Sequence, residues 1–237
     1  MNGTYDRCAV EPMPTNDGRA TTLAPSLREV FDRASAPDAR TRVNAGDAIY
    51  ATGDEDDSMY LIDAGQVKLS MASAGGKDCL IAIYTKGEVF GESCFTTAPK
   101  RFETATAMQP TVVRRISRRD FLAAVDRLRA SDALLRHLAA RLADRQTAVF
   151  DLVTMRSERR LAKVLLDIAE KLGYRDSEYL RLDPKISHEE LSQIVGTTRP
   201  RITAFMQKFR QLGLIETAGR AIIVHHARLI EFVEHEP

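Results

Sequence analysis

The sequence predicts an α+β protein in which a unit of short antiparallel strands precedes a long helix and a smaller, largely helical unit. Between residues 43 and 116, short apolar runs alternate with glycines about every ten positions, which is typical of a compact antiparallel roll, sandwich or barrel. Between residues 132 and 156, apolar residues recur seven apart, as they do in paired helices. Between residues 187 and 213, two short helical patterns are separated by a glycine.

Length and composition are those of an ordinary globular protein. The chain has 237 residues, 44% hydrophobic and 28% charged, which allows one large or two modest domains. No apolar run approaches the length of about 20 residues that crosses a bilayer, and the first residues do not form a secretory signal, so we expect a cytoplasmic protein without a membrane partner. Its three cysteines, Cys8, Cys79 and Cys94, argue against a disulfide framework or a zinc ribbon, and we expect no metal site.

A heptad-like apolar stripe runs along the long helix and predicts a two-helix contact between subunits, and hence a homodimer. Arg145 and Thr147 interrupt this stripe. Polar residues in such a seam either fix the pairing register or reach a buried polar ligand. The alternative is a helix that packs on its own domain, with Arg145 extending to solvent. The residues expected at the dimer interface are Leu135, Leu138, Leu142, Val149 and Leu152.

Other helical patterns flank the long helix. Ser26 to Ser35 has apolar residues at helical spacing, and Ser117 can cap a second helix that begins at the next residue. Beyond the long helix, an amphipathic pattern ends at Gly173, where a helix usually stops. The stretch from Tyr174 to Pro184 is polar and predicts turns.

The two short helices near the C-terminus have clear start and stop signals. Ser187 and Glu190 form a capping box, because the serine accepts from the backbone three residues on and the glutamate reaches back to the serine amide. The helix that they open ends at Gly196, Thr198 can cap the next helix, and Gly213 closes it. Two short helices joined by a glycine-containing turn predict a helix-turn-helix.

The second of these helices is cationic. Leu214 to Val224 then predicts a small hairpin, which makes the unit a winged helix-turn-helix. In such a unit the second helix enters the major groove and its first residues meet base edges, so we expect double-stranded DNA as a partner. A helical hairpin used only for packing is the alternative, and it leaves the cations without a role. These cations are Arg199, Arg201, Lys208 and Arg210, and no acidic residue lies between positions 197 and 210.

These units, in this order, resemble the family of the cyclic AMP receptor protein and the fumarate-nitrate reduction regulator. The resemblance covers residues 26–230 and is most specific over 187–215, where a Q-I-V-G turn precedes a small hydroxyl residue and an arginine. It implies a cyclic-nucleotide-binding-like antiparallel β-roll, a long dimerisation helix and a C-terminal winged helix-turn-helix. The matching motifs in the roll are Gly46-Asp, Gly53, Tyr60-Leu-Ile, Gly65-Gln-Val and Gly87-Glu-Val-Phe-Gly-Glu92. The expected segments are a disordered arm at 1–24, the roll at 25–131, the dimerisation helix at 132–156 and the winged helix-turn-helix at 157–237.

The resemblance also implies which residues contact DNA. Arg199 takes the place of the family's principal base-reading arginine, and Ser187 and Gln193 those of phosphate contacts. Two positions depart from the family pattern, because Pro200 replaces an acidic reading residue and Ala204 replaces an arginine, so we expect a different operator sequence. The residues expected at DNA are Ser187, Gln193, Thr197, Thr198, Arg199, Arg201 and Thr203.

A small effector in the roll, a cyclic nucleotide or a related compound, is a further implication of the resemblance. Gly91 and Glu92 match the pair that holds the ribose hydroxyls in nucleotide-binding relatives. Glu103 and Thr104 stand where an Arg-Ser pair binds the cyclic phosphate, and Arg101 lies two residues earlier. Either Arg101 swings in, or the effector is something other than cyclic AMP, such as cyclic di-GMP. The residues expected at the effector are Gly91, Glu92, Ser93, Arg101, Thr104, Arg145 and Thr147.

Two regulator hypotheses therefore stay open, and one enzyme hypothesis finds no support. The first is a homodimeric, sequence-specific transcription regulator controlled by that effector. In the second, the regulator is independent of ligand, and the roll is a dimer scaffold or contacts RNA polymerase. An enzyme would need a catalytic motif, and the sequence has neither a phosphate-binding loop with lysine nor a nucleophile elbow.

Metal-based sensing also lacks suitable residues. An iron–sulfur sensor needs four thiolates, and the chain has three cysteines. A haem sensor needs axial ligands in the roll, but the first histidine is His137, on the long helix. We expect Cys94 to be a small buried filler and the pair His225-His226 to lie in an exposed turn.

Overall fold

The computed structural model of the protein describes residues 24–34, 40–73, 75–76, 78–97, 100–176, 179–183, 186–219 and 221–235. The predicted α+β organisation is confirmed: a β-roll precedes long helices and a smaller C-terminal unit. The arm expected at residues 1–24, and Cys8 within it, lies outside the described residues except for its last position.

The N-terminal unit is a roll of two four-stranded antiparallel sheets. Its strands are β1 (Arg40–Val43), β2 (Ala48–Tyr50), β3 (Ser58–Ala64), β4 (Gln66–Ala72), β5 (Asp78–Thr85), β6 (Val89–Phe90), β7 (Thr104–Ala107) and β8 (Thr111–Ser117). One sheet has the order β1-β8-β3-β6 and the other the order β2-β7-β4-β5. A 3₁₀ helix, Glu92–Phe95, follows β6. The apolar runs predicted as strands are β3, β4, β5 and β8.

Helices close the roll and lead out of it. These helices are α1 (Pro25–Ala34), α2 (Arg118–Arg127), α3 (Ser131–Thr154) and α4 (Ser157–Leu172). The predicted cap of α2 is confirmed, because the Ser117 side chain accepts from the backbone N–H of Asp120. Phe31 of α1 and Phe121 of α2 pack with ring centroids 5.6 Å apart in the core that joins these helices to the roll. Gly173 follows α4 as predicted.

The C-terminal unit packs helices around a third four-stranded sheet. Its elements are β9 (Tyr174–Asp176), β10 (Tyr179–Leu182), α5 (His188–Val195), α6 (Arg199–Gln211), β11 (Ile215–Ala218), β12 (Ala221–His225) and α7 (His226–Glu234). The sheet order is β11-β12-β10-β9. The turn predicted for residues 174–184 is wrong, since β9 and β10 occupy most of it. Leu180 and Leu182 of β10 alternate inward onto the apolar core, and this non-local burial favours a strand in an otherwise polar stretch.

Two ion pairs connect the roll to the C-terminal unit. The Lys68 ammonium of β4 lies 2.6 Å from a carboxylate oxygen of Glu190 on α5. The Lys171 ammonium of α4 lies 2.9 Å from the carboxylate of Glu88, a buried residue next to β6. All four side chains are at least half-buried, so solvent screens these pairs less than ordinary surface pairs. They fix how α4 and α5 face the roll.

A glycine makes the tight passage from β3 to β4 possible. Gly65 has φ of 96°, and a Cβ at this position would lie 2.4 Å from the Thr111 hydroxyl oxygen and 2.8 Å from the Pro110 carbonyl oxygen. Gly46 has a similar φ of 91°, but nothing lies within 4 Å of its Cβ position. Replacing each glycine by alanine therefore distinguishes the free-energy cost of a left-handed backbone, which both positions share, from that of a steric clash, which only Gly65 has.

We expect Gly65→Ala to destabilise the roll more than Gly46→Ala. A left-handed alanine costs about 1 to 2 kcal/mol at either position, and overpacking against Thr111 adds about 1 to 3 kcal/mol at Gly65 alone. Urea unfolding followed by far-ultraviolet circular dichroism measures both variants. Equal decreases in the free energy of unfolding would show that the backbone around Thr111 shifts to accept the added Cβ without cost.

Candidate DNA-binding surface and roll interior

The first helix of the helix-turn-helix begins as the sequence predicts. The Ser187 hydroxyl accepts from the Glu190 amide at 3.1 Å, and a Glu190 carboxylate oxygen accepts from the Ser187 amide at 2.9 Å. The helix ends at Gly196, whose φ is 69°. A Cβ on Gly196 would come within 3.1 Å of the Leu152 side chain at the end of α3, so the turn lies directly against the long helix.

The second helix, α6, presents its cations to solvent. Arg199 and Arg201 lie in its first turn and are exposed, together with Thr198 before them. Thr198 occupies the cap position, but its side chain makes no capping hydrogen bond. The exposed first turn of α6 therefore offers backbone N–H groups and two guanidinium groups to an anionic partner.

The other residues expected at DNA surround this turn. Ser187 is exposed at the start of α5, while Gln193 and Thr197 are half-buried. Thr203 is exposed one turn into α6, and its hydroxyl lies 3.1 Å from Nδ1 of His188. The structure thus brings all seven predicted residues into one helix-turn-helix. His188 was not among the predicted residues, because its contact with Thr203 joins two helices across 15 positions.

The wing and the last helix complete this unit. The hairpin predicted for Leu214 to Val224 is confirmed as β11 and β12, which pair in antiparallel fashion. The exposed turn expected at His225-His226 is wrong, because both side chains are largely buried and lie within hydrogen-bond distance of carboxylates. His225 lies 2.8 Å from Glu216, and His226 lies 2.6 Å from Glu170 of α4.

In the roll, the segment that resembles a ribose-binding pair is tightly packed. Gly91 has φ of 95°, and a Cβ there would lie 2.8 Å from the Ser58 carbonyl oxygen. Glu92 follows it, and one oxygen of its carboxylate lies 3.1 Å from Nε2 of His137 and 3.2 Å from Nε of Arg141. Burial alone would raise the pKa of Glu92, but the bonds from His137 and Arg141 outweigh it and lower that pKa. Glu92 is therefore an anion already neutralised by α3.

Arg101 is committed to internal partners as well. It is only 2% exposed, and its guanidinium lies 2.8 Å from the Asp56 carboxylate. It also donates to the Gly91 carbonyl oxygen at 2.8 Å and to the Ser58 carbonyl oxygen. Its guanidinium carbon sits 4.2 Å above the centre of the Tyr50 ring. Moving this buried guanidinium would break all of these contacts and would leave Asp56 with Arg115, at 3.0 Å, as its remaining arginine partner.

Glu103 brings a carboxylate into the same interior. It is 4% exposed, and its Oε1 accepts from the Ser93 hydroxyl at 2.7 Å and from the Tyr50 hydroxyl at 3.0 Å. Its other oxygen, Oε2, is buried without a hydrogen-bond partner among the described residues. Burial, followed by the neighbouring Glu103, raises the pKa of the Tyr50 hydroxyl, so that hydroxyl stays a neutral donor.

These residues do not fit a cyclic phosphate. A phosphate bound beside Ser93 would face the buried Glu103 carboxylate, and the buried Arg101 guanidinium is already paired with Asp56. Bringing a further anion into a low-dielectric interior without a free cation is strongly unfavourable. Asp56, Tyr50, His137 and Arg141 were not predicted here, because their contacts join residues far apart in the sequence.

The remaining residues expected at an effector make other contacts. The Thr104 hydroxyl accepts from the Thr52 amide at 3.1 Å. Arg145 donates to the Ile81 carbonyl oxygen at 2.7 Å and to the Tyr84 hydroxyl at 3.1 Å, so it anchors α3 on strand β5. Thr147 is half-buried two residues further on. Arg141, one turn before Arg145, is the α3 arginine that reaches Glu92.

The apolar stripe on α3 is largely uncovered in the single chain. The exposed fractions are 67% for Leu135, 60% for Leu142, 62% for Val149 and 54% for Leu152, whereas Leu138 is half-buried. Phe150 and Val153, which the heptad pattern did not include, are also exposed. Large apolar side chains in a continuous exposed row mark an interaction surface.

The Cys94 thiol and the candidate metal ligands of the described residues can be assessed from burial and geometry. Cys94 is buried as predicted, and burial raises the pKa of its thiol to about 12, so it is an unreactive core residue. Within the described ranges, no three His, Cys, Asp or Glu side chains are placed to hold a metal ion. None of the described helices has the length and apolar character to cross a membrane.

Comparisons with known proteins agree with this arrangement. Residues 40–127 match the cyclic nucleotide-binding domain family, and residues 159–232 match the Crp-like helix-turn-helix domain family. A CRP-like cAMP-activated global transcriptional regulator of Mycobacterium tuberculosis is 32% identical over 183 residues, which cover 76% of this chain and 80% of the relative. The cyclic AMP receptor protein of Thermus thermophilus is 28% identical over 189 residues, or 78% and 83% of the two chains.

A solved structure supports the fold. The c-di-GMP responsive global regulator of Xanthomonas campestris superposes with a TM-score of 0.71 at 19% identity, covering 85% of this chain and 99% of that one. Its likeness concerns architecture alone. Taken with the two domain matches and the mycobacterial relative, the β-roll, the long helix and the winged helix-turn-helix show that this chain belongs to the CRP-like family of transcription regulators, which are not enzymes.

Proposed function

We propose that the protein is a homodimeric, sequence-specific DNA-binding regulator whose roll is a dimer scaffold and does not take a cyclic nucleotide. The observation that carries the DNA-binding role is the exposed first turn of α6, with Arg199 and Arg201 free to meet base edges. An arginine can grip O6 and N7 of guanine in a bidentate way, which gives sequence preference. We place the protein in the cytoplasm, where its DNA is, and expect RNA polymerase as a further partner.

The exposed stripe on α3 supports the homodimer. Leucines seven residues apart, such as Leu135 and Leu142, would pack against the same residues of a second α3 and remove apolar area from water. A two-fold pair of chains presents two α6 helices, so the operator is expected to be an inverted repeat. Its half-sites would lie about 34 Å apart, one turn of DNA.

The charged side chains inside the roll are paired with one another, which supports a regulator that works without a cyclic nucleotide. Glu92 is balanced by Arg141, and Arg101 by Asp56, without any ligand. A cyclic nucleotide would have to displace these bonds and accept the Glu103 carboxylate beside its phosphate. A roll that acts only as a dimer scaffold keeps all of these bonds.

A second candidate is a regulator controlled by an effector. The match of residues 40–127 to the cyclic nucleotide-binding domain family and the names of two relatives favour it. The mycobacterial relative is named as cAMP-activated. Under this alternative, a ligand near Glu92 would act through Arg141 and α3, and it would need different affinities for two arrangements of the dimer.

We expect Leu142→Glu to convert the dimer to a monomer. A carboxylate in the seam would be buried opposite its own copy, which pairing cannot tolerate. Light scattering after size-exclusion chromatography measures the mass. The control is Leu122→Glu on α2, an exposed leucine away from the stripe, which should leave the mass unchanged. A dimeric Leu142→Glu protein would place the subunit contact elsewhere.

We expect Arg199→Ala to weaken operator binding by about 1 to 3 kcal/mol while changing binding to random DNA far less. Selection from random oligonucleotides identifies the operator, and fluorescence anisotropy gives both affinities. Arg210→Ala, at the other end of α6, serves as the matched control and should lower both affinities alike. Equal losses on both DNAs for Arg199→Ala would make this arginine a phosphate contact.

We expect cyclic AMP, cyclic GMP and cyclic di-GMP to give no saturable heat in isothermal titration and to leave operator affinity unchanged. The reason is that Arg101 is already paired with Asp56 and that the buried Glu103 carboxylate would repel a phosphate. The mycobacterial relative, titrated with cyclic AMP in the same buffer, is the positive control. Saturable binding coupled to tighter operator binding would establish the second candidate instead.

A further inference from the structure

The junction between α5 and α6 contains a histidine that neither the family resemblance nor the proposed function explains. His188 is the first residue of α5, directly after Ser187, and is half-buried. Its Nδ1 lies 3.1 Å from the hydroxyl oxygen of Thr203 on α6. This contact joins the start of the first helix to the exposed turn of the second.

The direction of this hydrogen bond follows from the Thr203 hydroxyl. That hydroxyl has one proton, and it donates it to the Arg199 carbonyl oxygen at 3.1 Å. The Thr203 oxygen can then only accept from the imidazole, so Nδ1 of His188 carries a proton. The other ring nitrogen, Nε2, makes no hydrogen bond to any described residue. His188 therefore holds α6 with one nitrogen and keeps the other available at the edge of the DNA-binding surface.

The charges around His188 are mostly positive. Arg199 and Arg210 of α6 act on the ring directly, and burial and then these two cations lower the pKa of His188. On its own helix, Glu189 is exposed, while Glu190 is neutralised by Lys68 of the roll. In the free protein at neutral pH, the ring is thus an uncharged imidazole with Nε2 as a vacant proton acceptor.

We infer that His188 positions the recognition helix α6 through Thr203 and takes up a proton when the phosphate backbone of DNA binds beside it. This rests on the proposed DNA-binding role. Phosphates that approach Ser187 and Arg199 offset the cations that keep the ring neutral, and they supply an acceptor for a proton on Nε2. One histidine then serves two purposes: its Nδ1 side maintains the angle between the helices, and its Nε2 side adds a charge only in the complex.

The sign of the pH effect follows from linkage. Because the pKa of His188 is higher in the DNA complex than in the free protein, binding takes up protons and affinity increases as pH falls. The effect is confined to the interval between the two values and disappears above the higher one. One proton changes affinity by at most about tenfold per pH unit.

The experiment measures operator and random-DNA affinity between about pH 5 and pH 8, where imidazole titrates, at several salt concentrations. For the wild type we expect affinity to rise several-fold toward acid pH. At acid pH the slope of log affinity against log salt should be steeper by about 0.9, one additional phosphate neutralised. Titrating DNA into the wild-type protein in two buffers of different ionisation enthalpy counts the protons directly.

Two variants separate the two roles. His188→Asn places an amide N–H near the position of Nδ1 and cannot become charged, so it should keep the operator preference and lose the pH dependence. His188→Ala should lose both. His235→Gln, a histidine at the far end of α7, is the control and should behave as the wild type.

Each result bears on the inference. Persistence of the full pH dependence in His188→Asn, or proton uptake of zero in the wild type, would overturn the charging role. An undiminished operator preference in His188→Ala would overturn the positioning role. If His188→Ala fails to fold, the asparagine variant and the wild-type proton count still decide. A wild-type protein without preference for any DNA sequence would refute the proposed function itself, which is a different outcome from normal operator binding that is insensitive to pH.

Discussion

One carboxylate, that of Glu190, connects the start of the DNA-binding unit to the roll. One of its oxygens accepts from the Ser187 amide and so completes the cap of α5, and the other lies 2.6 Å from the Lys68 ammonium on β4. Burial would raise the pKa of Glu190, but the bonds from Lys68 and Ser187 outweigh it and lower that pKa, so the group is an anion at neutral pH. Helix start and domain orientation therefore depend on the same charge.

This arrangement has a consequence for DNA binding. The Glu190 carboxylate, without its lysine partner, would add to the repulsion between the start of α5 and a phosphate that approaches Ser187. Lys68 cancels that repulsion from the roll side while the exposed side of α5 stays open. Through Lys68, the roll therefore affects the electrostatics of the start of α5.

Local sequence signals predicted the parts of the fold that local chemistry decides. The Ser187 capping box, the helix end at Gly196 and the strands with continuous apolar runs depend on residues within a few positions of one another. Strand β10 was missed because its two inward leucines are buried in a core built by distant elements, and its strand partner, β12, lies 40 or more residues away. The same limit applied in the roll, where Glu92 meets His137 and Arg141 across 45 and 49 positions.

A contiguous set of contacts also runs from the roll interior to the DNA-binding unit, and it limits how any effector would work. Arg141 binds Glu92 and lies 4.2 Å above the Tyr84 ring, while Lys171 of α4 approaches the same ring at 5.2 Å and pairs with Glu88. A ligand that took Glu92 would free Arg141 and disturb the position of Lys171. The binding free energy of such a ligand would first have to offset the loss of the buried Glu92–Arg141 pair. Only the remainder could favour one arrangement of the dimer over the other. A chain of contacts is therefore not sufficient for coupling between the roll and the DNA-binding unit. Coupling requires a ligand whose binding free energies to the two arrangements differ by more than the Glu92–Arg141 pair contributes.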